Sequence, residues 1–153
     1  NVSHIAFTGS GTIDGNGSLW WTQCAGHSLN SSGWSTCGRP GLLTLRPAQH
    51  VLISGPTFIN SPCHNIVIRE SAHVEVGHAR VLAPPSYDQM GQSNNTDGID
   101  VDGEFLYIHD SEVSVGDDLV VLGSNHTLVE RMRFGAGRGC SLAPGCNGSL
   151  PTS

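Results

Sequence analysis

Short hydrophobic clusters of three to five residues recur along the chain, separated by Gly, Asn, Pro or Ser. Clusters of this length between turn-forming residues predict β-strands and tight turns. Similar clusters return at an offset of 23 residues between Val51 and Val74, and of 21 residues between Tyr107 and Leu128. A second series runs beside the first: Ile66-Val67-Ile68, Ile99-Asp100-Val101 and Leu119-Val120-Val121. A repeat of 21–23 residues that holds several strands is typical of one coil of a parallel β-helix, so the pattern predicts this all-β fold.

Two other architectures with short elements fit the pattern less well. Leucine-rich repeats have a similar length, but their L-x-x-L-x-L spacing is absent here. A β-sandwich also has short strands, yet it does not predict a fixed offset near 21 between chemically similar residues, and it ranks second. Residues Ala83–Asn94, which include Pro84-Pro85, interrupt the repeat. We expect them to form a loop inserted between two coils, a common place for substrate contacts.

Composition narrows the class of protein further. The chain has 153 residues, with 20 Gly, 8 Pro and only 13% charged residues, which excludes a coiled coil. Its length predicts a single domain over residues 1–153. The net charge of −6 disfavours nucleic acid or an anionic membrane as partner. No apolar run approaches the ~20 residues of a membrane span. Because the chain starts with Asn and stops without a closing signal, we expect a domain that is truncated at its C-terminus.

Cysteines and glycosylation sequons favour a secreted glycoprotein. The five cysteines are Cys24, Cys37, Cys63, Cys140 and Cys146. The first two and the last two are close enough to close short loops in an oxidising compartment, which leaves Cys63 free or paired outside this segment. No C-x-x-C pair is present, and we expect no zinc site. N-x-S/T sequons begin at Asn1, Asn16, Asn30, Asn94, Asn125 and Asn147.

Three carboxylates carry the candidate chemistry. Asp97 and Asp118 are 21 residues apart, so they should lie in adjacent coils of one column, with Asp117 beside them. Carboxylates at that spacing repel one another, which raises the pKa of at least one. A carboxyl of raised pKa beside an ionised one is the acid–base pair that glycosidic hydrolysis needs. Gly116 would let the strand break so that both adjacent Asp side chains face outward. Structural Asx turns and a calcium site are the alternatives for this cluster.

Several motifs together resemble the polygalacturonases of glycoside hydrolase family 28. They are Gly11–Gly17 followed by Trp20-Trp21, then Arg39-Pro40, Asn60-Ser61-Pro62, Asn95–Asp100 and Gly116–Asp118. Their order and spacing match the family over nearly the whole chain. The resemblance implies a right-handed, single-stranded parallel β-helix. It also implies a monomeric hydrolase, secreted to the cell wall, that cleaves α-1,4-galacturonosyl linkages of pectin with inversion and without a cofactor or metal.

The resemblance also implies roles for individual residues. Asp117 would be the general acid, and Asp97 and Asp118 would hold and deprotonate the attacking water. Asn95 and Arg138 would contact the substrate. Arg138 stands where the family has His, 21 residues after Asp117 and so stacked over it, where it would favour an ionised Asp117. The family's downstream R-I-K motif has no counterpart before the last residue.

Three hypotheses about function follow from these residues. The first is the pectin hydrolase, the second a catalytically impaired relative that binds an acidic polysaccharide, and the third an unrelated β-helix for adhesion or structure. The motifs do not match the calcium-dependent elimination of pectate lyases. Trp20-Trp21 should pack against the first coils, and His73 and His78 lack a third metal ligand at useful spacing. A glycan at Asn94 would obstruct the cleft, so we expect that sequon to be unmodified.

Overall fold

The computed structural model describes residues 2–24, 38–85, 93–124 and 126–142. These residues form one short helix, α1 (Ser18–Gln23), and thirteen strands. The strands are β1 (Val2–Thr8), β2 (Thr12–Asp14), β3 (Leu43–Leu45), β4 (Ala48–Ser54), β5 (Thr57–Ile59), β6 (Ile66–Gly77), β7 (Arg80–Leu82), β8 (Ile99–His109), β9 (Glu112–Ser114), β10 (Val120–Ser124), β11 (Thr127–Glu130), β12 (Arg133–Phe134) and β13 (Cys140–Leu142).

Every strand pairing is parallel, and each coil crosses three faces. Strands β3, β10 and β13 with the first parts of β6 and β8 make the first face. Strands β1, β4 and β11 with the last parts of β6 and β8 make the second face. The separate sheet of order β12-β9-β7-β5-β2 is the third face. The chain is therefore a right-handed parallel β-helix, as predicted.

The core is a set of columns in which equivalent apolar residues stack from coil to coil. Phe58 pairs with Val81, and Val81 pairs with Val113, on the third face. On the first face Ile66 pairs with Ile99, which in turn pairs with Val120, so the column continues in the same register. All of these side chains are buried. Because alternate strand residues point inward, each short strand needs only one or two apolar residues to extend a column. This explains how few aromatic residues and charges the fold requires.

The coil that contains residues 83–94 is longer than its neighbours. On the third face, Val81 pairs with Val113, 32 residues later, whereas Phe58 and Val81 are 23 residues apart. The inserted loop predicted from the interrupted repeat is confirmed by this register, although residues 86–92 lie outside the described part of the chain.

A column of aromatic rings follows the bend between the first and second faces. The rings of His4, His50, His73, Phe105 and His126 stack in that order, with ring centroids 4.8–5.0 Å apart. The first four of these residues have positive φ, which turns their side chains outward at the bend. His73 therefore has a stacking role, and His78 packs edge-on against the ring of His109.

Helix α1 packs one of its two adjacent tryptophans against the first coils. Trp21 is buried, and its indole Nε1 donates to the carbonyl oxygen of Ser61 at 3.0 Å, which confirms a structural role for this residue. Trp20 is partly exposed. A Cβ atom on Gly17 would lie 2.7 Å from the carbonyl oxygen of Asn60. The close approach explains why this turn of the motif holds glycine.

Three of the cysteines lie in the described part of the chain. Cys24 is disulfide-bonded, whereas Cys37 and Cys146 lie outside the described residues. Cys63 is a buried free thiol, as one of the two expectations for it stated. Cys140 is also free, so the Cys140–Cys146 bridge that the spacing allowed is not formed; Cys140 is held in β13, paired with Val120.

Among the described residues, no helix is long and apolar enough to cross a membrane.

Candidate active site

The three predicted carboxylates lie where the chain enters the first face. Asp97 precedes β8 and Asp118 precedes β10, and the amide of Gly98 donates to the carbonyl oxygen of Asp118 at 2.9 Å. Asp97 and Asp118 are therefore neighbours in adjacent coils, which confirms the prediction made from their spacing. The backbone bends at residues 116–117, as expected from Gly116, where a Cβ atom would lie 2.2 Å from the carbonyl oxygen of Ser93.

Asp117 is the most enclosed of the three by backbone donors. Its Oδ2 accepts from the amide of Asn95 at 3.0 Å and its Oδ1 accepts from the amide of Asp118 at 3.1 Å. The residue is only 7% exposed. Hydrogen bonds from amides favour the ionised form of a carboxyl group. Asp118 faces the next coil, where the Ser141 hydroxyl donates to its Oδ2 at 2.6 Å.

Asn95 is fixed between Asp117 and a buried arginine. Its side-chain Nδ2 donates to Asp117 Oδ2 at 3.4 Å, while its Oδ1 accepts from Arg39 Nη2 at 2.9 Å. Arg39 also donates to the carbonyl oxygen of Asn94 at 2.8 Å and is only 5% exposed. The structure therefore places Asn95 at the site, as predicted, but both ends of its amide are already bonded within the protein.

Arg138 lies over Asp117 from the following coil. Its amide donates to the carbonyl oxygen of Asp117 at 2.9 Å, and its Nε lies 3.5 Å from Asp117 Oδ1. This is the stacking predicted from their separation in sequence. The Arg138 side chain is 62% exposed against 9% for Asp117, so the guanidinium remains open to a solute.

A histidine that was not predicted stands between Asp97 and Asp100. His64 Nε2 lies 3.4 Å from Asp97 Oδ1, and His64 Nδ1 lies 3.0 Å from Asp100 Oδ2. Burial by itself would lower the pKa of His64, but the hydrogen bonds to Asp100 and Cys63 and the charges of both carboxylates outweigh it, so the pKa is raised. Asn65 holds the backbone beside this group by donating from Nδ2 to the carbonyl oxygens of Thr96 and Asp97.

Asp97 holds a proton more tightly than an ordinary carboxyl group. Burial is the largest cause, the charge of His64 opposes it, and repulsion from Asp100 and Asp117 adds to it; the net effect raises the pKa of Asp97 to about 7. The prediction that crowding would raise the pKa of at least one carboxyl is confirmed. At weakly acidic pH the free site thus contains a protonated Asp97 near an Asp117 that accepts amide hydrogen bonds.

Two groups of His and Asp residues in the described part of the chain have ligand atoms within 4.8 Å of one another: His64, Asp97 and Asp100, and His78, His109 and Asp110. In the first group the two carboxylates contact opposite nitrogens of the His64 ring. In the second, both ring nitrogens of His109 contact carboxylates and Arg131 holds both oxygens of Asp110. These arrangements favour ion pairs, because a metal ion would need the nitrogen lone pairs to converge with the oxygens.

The sequence gave different amounts of warning for the site residues that it missed. Asp100 lies inside the Asn95–Asp100 motif, and Arg39 lies in the Arg-Pro pair, so both could have been singled out. His64 carries no such signal, since it follows the Asn-Ser-Pro motif and meets its partners only through the stacking of coils.

The raised pKa of Asp97 predicts how stability changes with pH. Between about pH 4 and pH 7 the folded chain holds a proton on Asp97 that the unfolded chain releases, so the free energy of unfolding should fall as pH rises through this window. The upper limit of the loss is about 4 kcal/mol. Asp97→Asn should flatten this dependence in urea unfolding at pH 4, 5.5 and 7. Glu104→Gln, an exposed carboxylate of β8, is the matched control and should keep the wild-type slope.

Comparison with known proteins adds an independent line of evidence. The family model for glycosyl hydrolases family 28 matches residues 1–150. A probable polygalacturonase of Arabidopsis thaliana is 30% identical over 145 residues, which cover 93% of this chain and 28% of the relative. A probable polygalacturonase of Vitis vinifera is 34% identical over 126 residues, covering 81% and 23%, and a polygalacturonase of Juniperus ashei is 31% identical over 141 residues, covering 88% and 26%.

The comparison with solved structures concerns the fold. An exopolygalacturonase of Thermotoga maritima superposes with a TM-score of 0.58 at 23% identity, covering 69% of this chain and 26% of that one. The chain spans about a quarter of the length of the curated relatives that it matches.

Proposed function

The chain belongs to glycosyl hydrolases family 28, and we propose that it hydrolyses α-1,4-galacturonosyl linkages of pectin with inversion at the anomeric carbon. The observation that carries the proposal is the meeting of Asp97, Asp117 and Asp118 in adjacent coils, with one carboxyl of raised pKa. Inverting glycosidases need one carboxyl group as acid and another as base.

In the proposed reaction, Asp97 and Asp118 bind a water molecule and Asp97 accepts its proton. The resulting hydroxide forms a bond to the anomeric carbon as the bond from that carbon to the glycosidic oxygen breaks. Asp117 delivers its proton to the departing oxygen. One proton enters the carboxylate set and one leaves it, so the site needs only proton exchange with solvent before the next turnover.

Arg138 gives the substrate a means of preparing this acid. In the free site its guanidinium and two amides all favour an ionised Asp117. A galacturonate carboxylate is a stronger partner for an exposed arginine than a single oxygen at 3.5 Å, because guanidinium and carboxylate form two parallel hydrogen bonds. A substrate that draws Arg138 away brings a negative charge towards Asp117, and both changes raise its proton affinity.

We also propose that the protein works as a secreted monomer of the cell wall without a cofactor. The disulfide at Cys24 supports an oxidising compartment. The sequon at Asn16 is exposed, as a glycosylated asparagine has to be. The sequon at Asn94 lies beside Asn95, and its carbonyl oxygen binds Arg39, so our expectation that it carries no glycan stays a prediction.

The experiment is digestion of polygalacturonate in the presence of a calcium chelator. We expect new reducing ends, and proton NMR at early times should show the anomer of inverted configuration. Products that absorb as unsaturated uronides would contradict hydrolysis, because they arise by elimination.

The second candidate function is binding of an acidic polysaccharide without cleavage. The contact between Arg138 and Asp117 favours it, since a permanently ionised Asp117 cannot act as an acid. The same digestion distinguishes the two functions: pectin that is retained by the protein in a sedimentation assay while no reducing ends appear would support binding alone.

A further inference from the structure

His64 occupies a position in the site that acid–base hydrolysis does not require. It lies two residues after the Asn-Ser-Pro motif, before β6, and its side chain is only 6% exposed. Its two ring nitrogens contact different carboxylates, Asp97 at Nε2 and Asp100 at Nδ1. The ring therefore bridges a predicted catalytic residue and a second buried carboxylate of the same strand entry.

Charge explains why a ring in this place should be doubly protonated. Buried carboxylates are costly unless a cation or hydrogen-bond donors compensate them. A neutral imidazole has one N–H, so it would leave one of its two carboxylate contacts with a lone pair facing an anion. An imidazolium donates at both nitrogens and satisfies both contacts.

The other groups around the ring do not replace this charge. Cys63 supplies a side-chain hydrogen bond to His64, and Asp117 adds a further negative charge near Asp97. Arg69 reaches Asp100 from the outer side of the first face, with Nη2 3.8 Å from Oδ2, and also contacts Asp102 at 3.9 Å. The balance next to Asp97 is therefore carboxylates on several sides and His64 as the cation in contact with it.

We propose that His64 is a positioning residue: an imidazolium, held by Asp100, that fixes the Asp97 carboxylate and keeps it available as the base. This role rests on the proposed function, because it matters for turnover only if Asp97 accepts the proton of water. His64 itself does not contact the reacting atoms. It acts through the orientation of Asp97 Oδ1 and through the charge that it presents to that oxygen.

The first test reads the protonation of the ring directly and needs no activity. In nitrogen-15 NMR spectra of the wild-type chain at pH 8, the His64 signals, assigned by their loss in His64→Gln, should be those of an imidazolium. Asp100→Asn should convert them to those of a neutral ring at the same pH. A neutral ring in the wild-type protein at pH 8 would overturn the proposal, whether or not the chain hydrolyses pectin.

The second test uses the pH profile of kcat. His64→Gln should lower kcat with KM changed by less than about twofold, and it should move the acidic limb upward by about one pH unit or more, because an adjacent cation lowers a carboxyl pKa. Adding Asp100→Asn to His64→Gln removes a repelling charge and should move the limb part of the way back. His126→Gln, an exposed ring of the stacked column, should leave the profile unchanged.

The two tests separate the two hypotheses. An acidic limb that stays in place in His64→Gln would contradict the positioning role while leaving hydrolysis established. If no variant and no wild-type preparation releases reducing ends, the proposed function fails, and the NMR result alone decides whether His64 is the buried cation.

Discussion

Asp117→Asn is expected to lower kcat on polygalacturonate by about 10²–10⁴-fold, the usual contribution of a general acid. The amide keeps the size of the side chain and can still accept from the amides of Asn95 and Asp118, so the local backbone should be retained. What it loses is the proton for the departing oxygen. The measurement is initial-rate release of reducing ends at several substrate concentrations, with KM expected to change little.

A substrate with an activated leaving group distinguishes the acid from the base. An aryl galacturonide whose phenol departs without protonation should restore most of the turnover of Asp117→Asn. It should not rescue Asp97→Asn, because activation of water is still missing. Glu112→Gln, on the third face, is the control and should behave as wild type. Rescue of Asp97→Asn in place of Asp117→Asn would reverse the two roles, an outcome that the raised pKa of Asp97 makes worth measuring.

Features that depend on the repeat could be predicted from the sequence. The strand pairings follow the hydrophobic offsets, so Ile99 lies beside Val120, and Asp97 and Asp118 are brought together two residues earlier. The same arithmetic placed Arg138 over Asp117. A parallel β-helix makes this possible because residues one period apart become neighbours, whatever the residues between them.

Features that depend on side-chain direction at the bends could not be predicted in this way. Arg39 meets Asn95 across 56 residues, a separation that includes the inserted loop and is no multiple of the period. His64 meets Asp97 across 33 residues for the same reason. Bends have no alternation of inward and outward positions, so the sequence pattern does not say which polar groups will converge there.

The repeat also fails to say how completely a column is covered. By sequence, Phe58 and Phe134 are equivalent positions of different coils, and the structure confirms that both belong to the column that runs through Val81 and Val113. Phe58 has neighbours on both sides and no exposed surface, whereas Phe134 is on the outermost described rung of the third face and is 42% exposed. The same residue type in one column therefore has two environments.

Phe58→Ala should accordingly lower the free energy of unfolding by about 3–5 kcal/mol, because the ring leaves a cavity that rigid neighbouring strands cannot close. Phe134→Ala, the matched control, should cost about 1 kcal/mol or less, since solvent fills the space that the ring vacates. Urea unfolding of both variants at one pH gives the comparison, with the midpoint shifting and the m-value unchanged. Equal losses would mean that burial at Phe58 does not support the column, and that stability comes mainly from the strand ladders, which both substitutions leave intact.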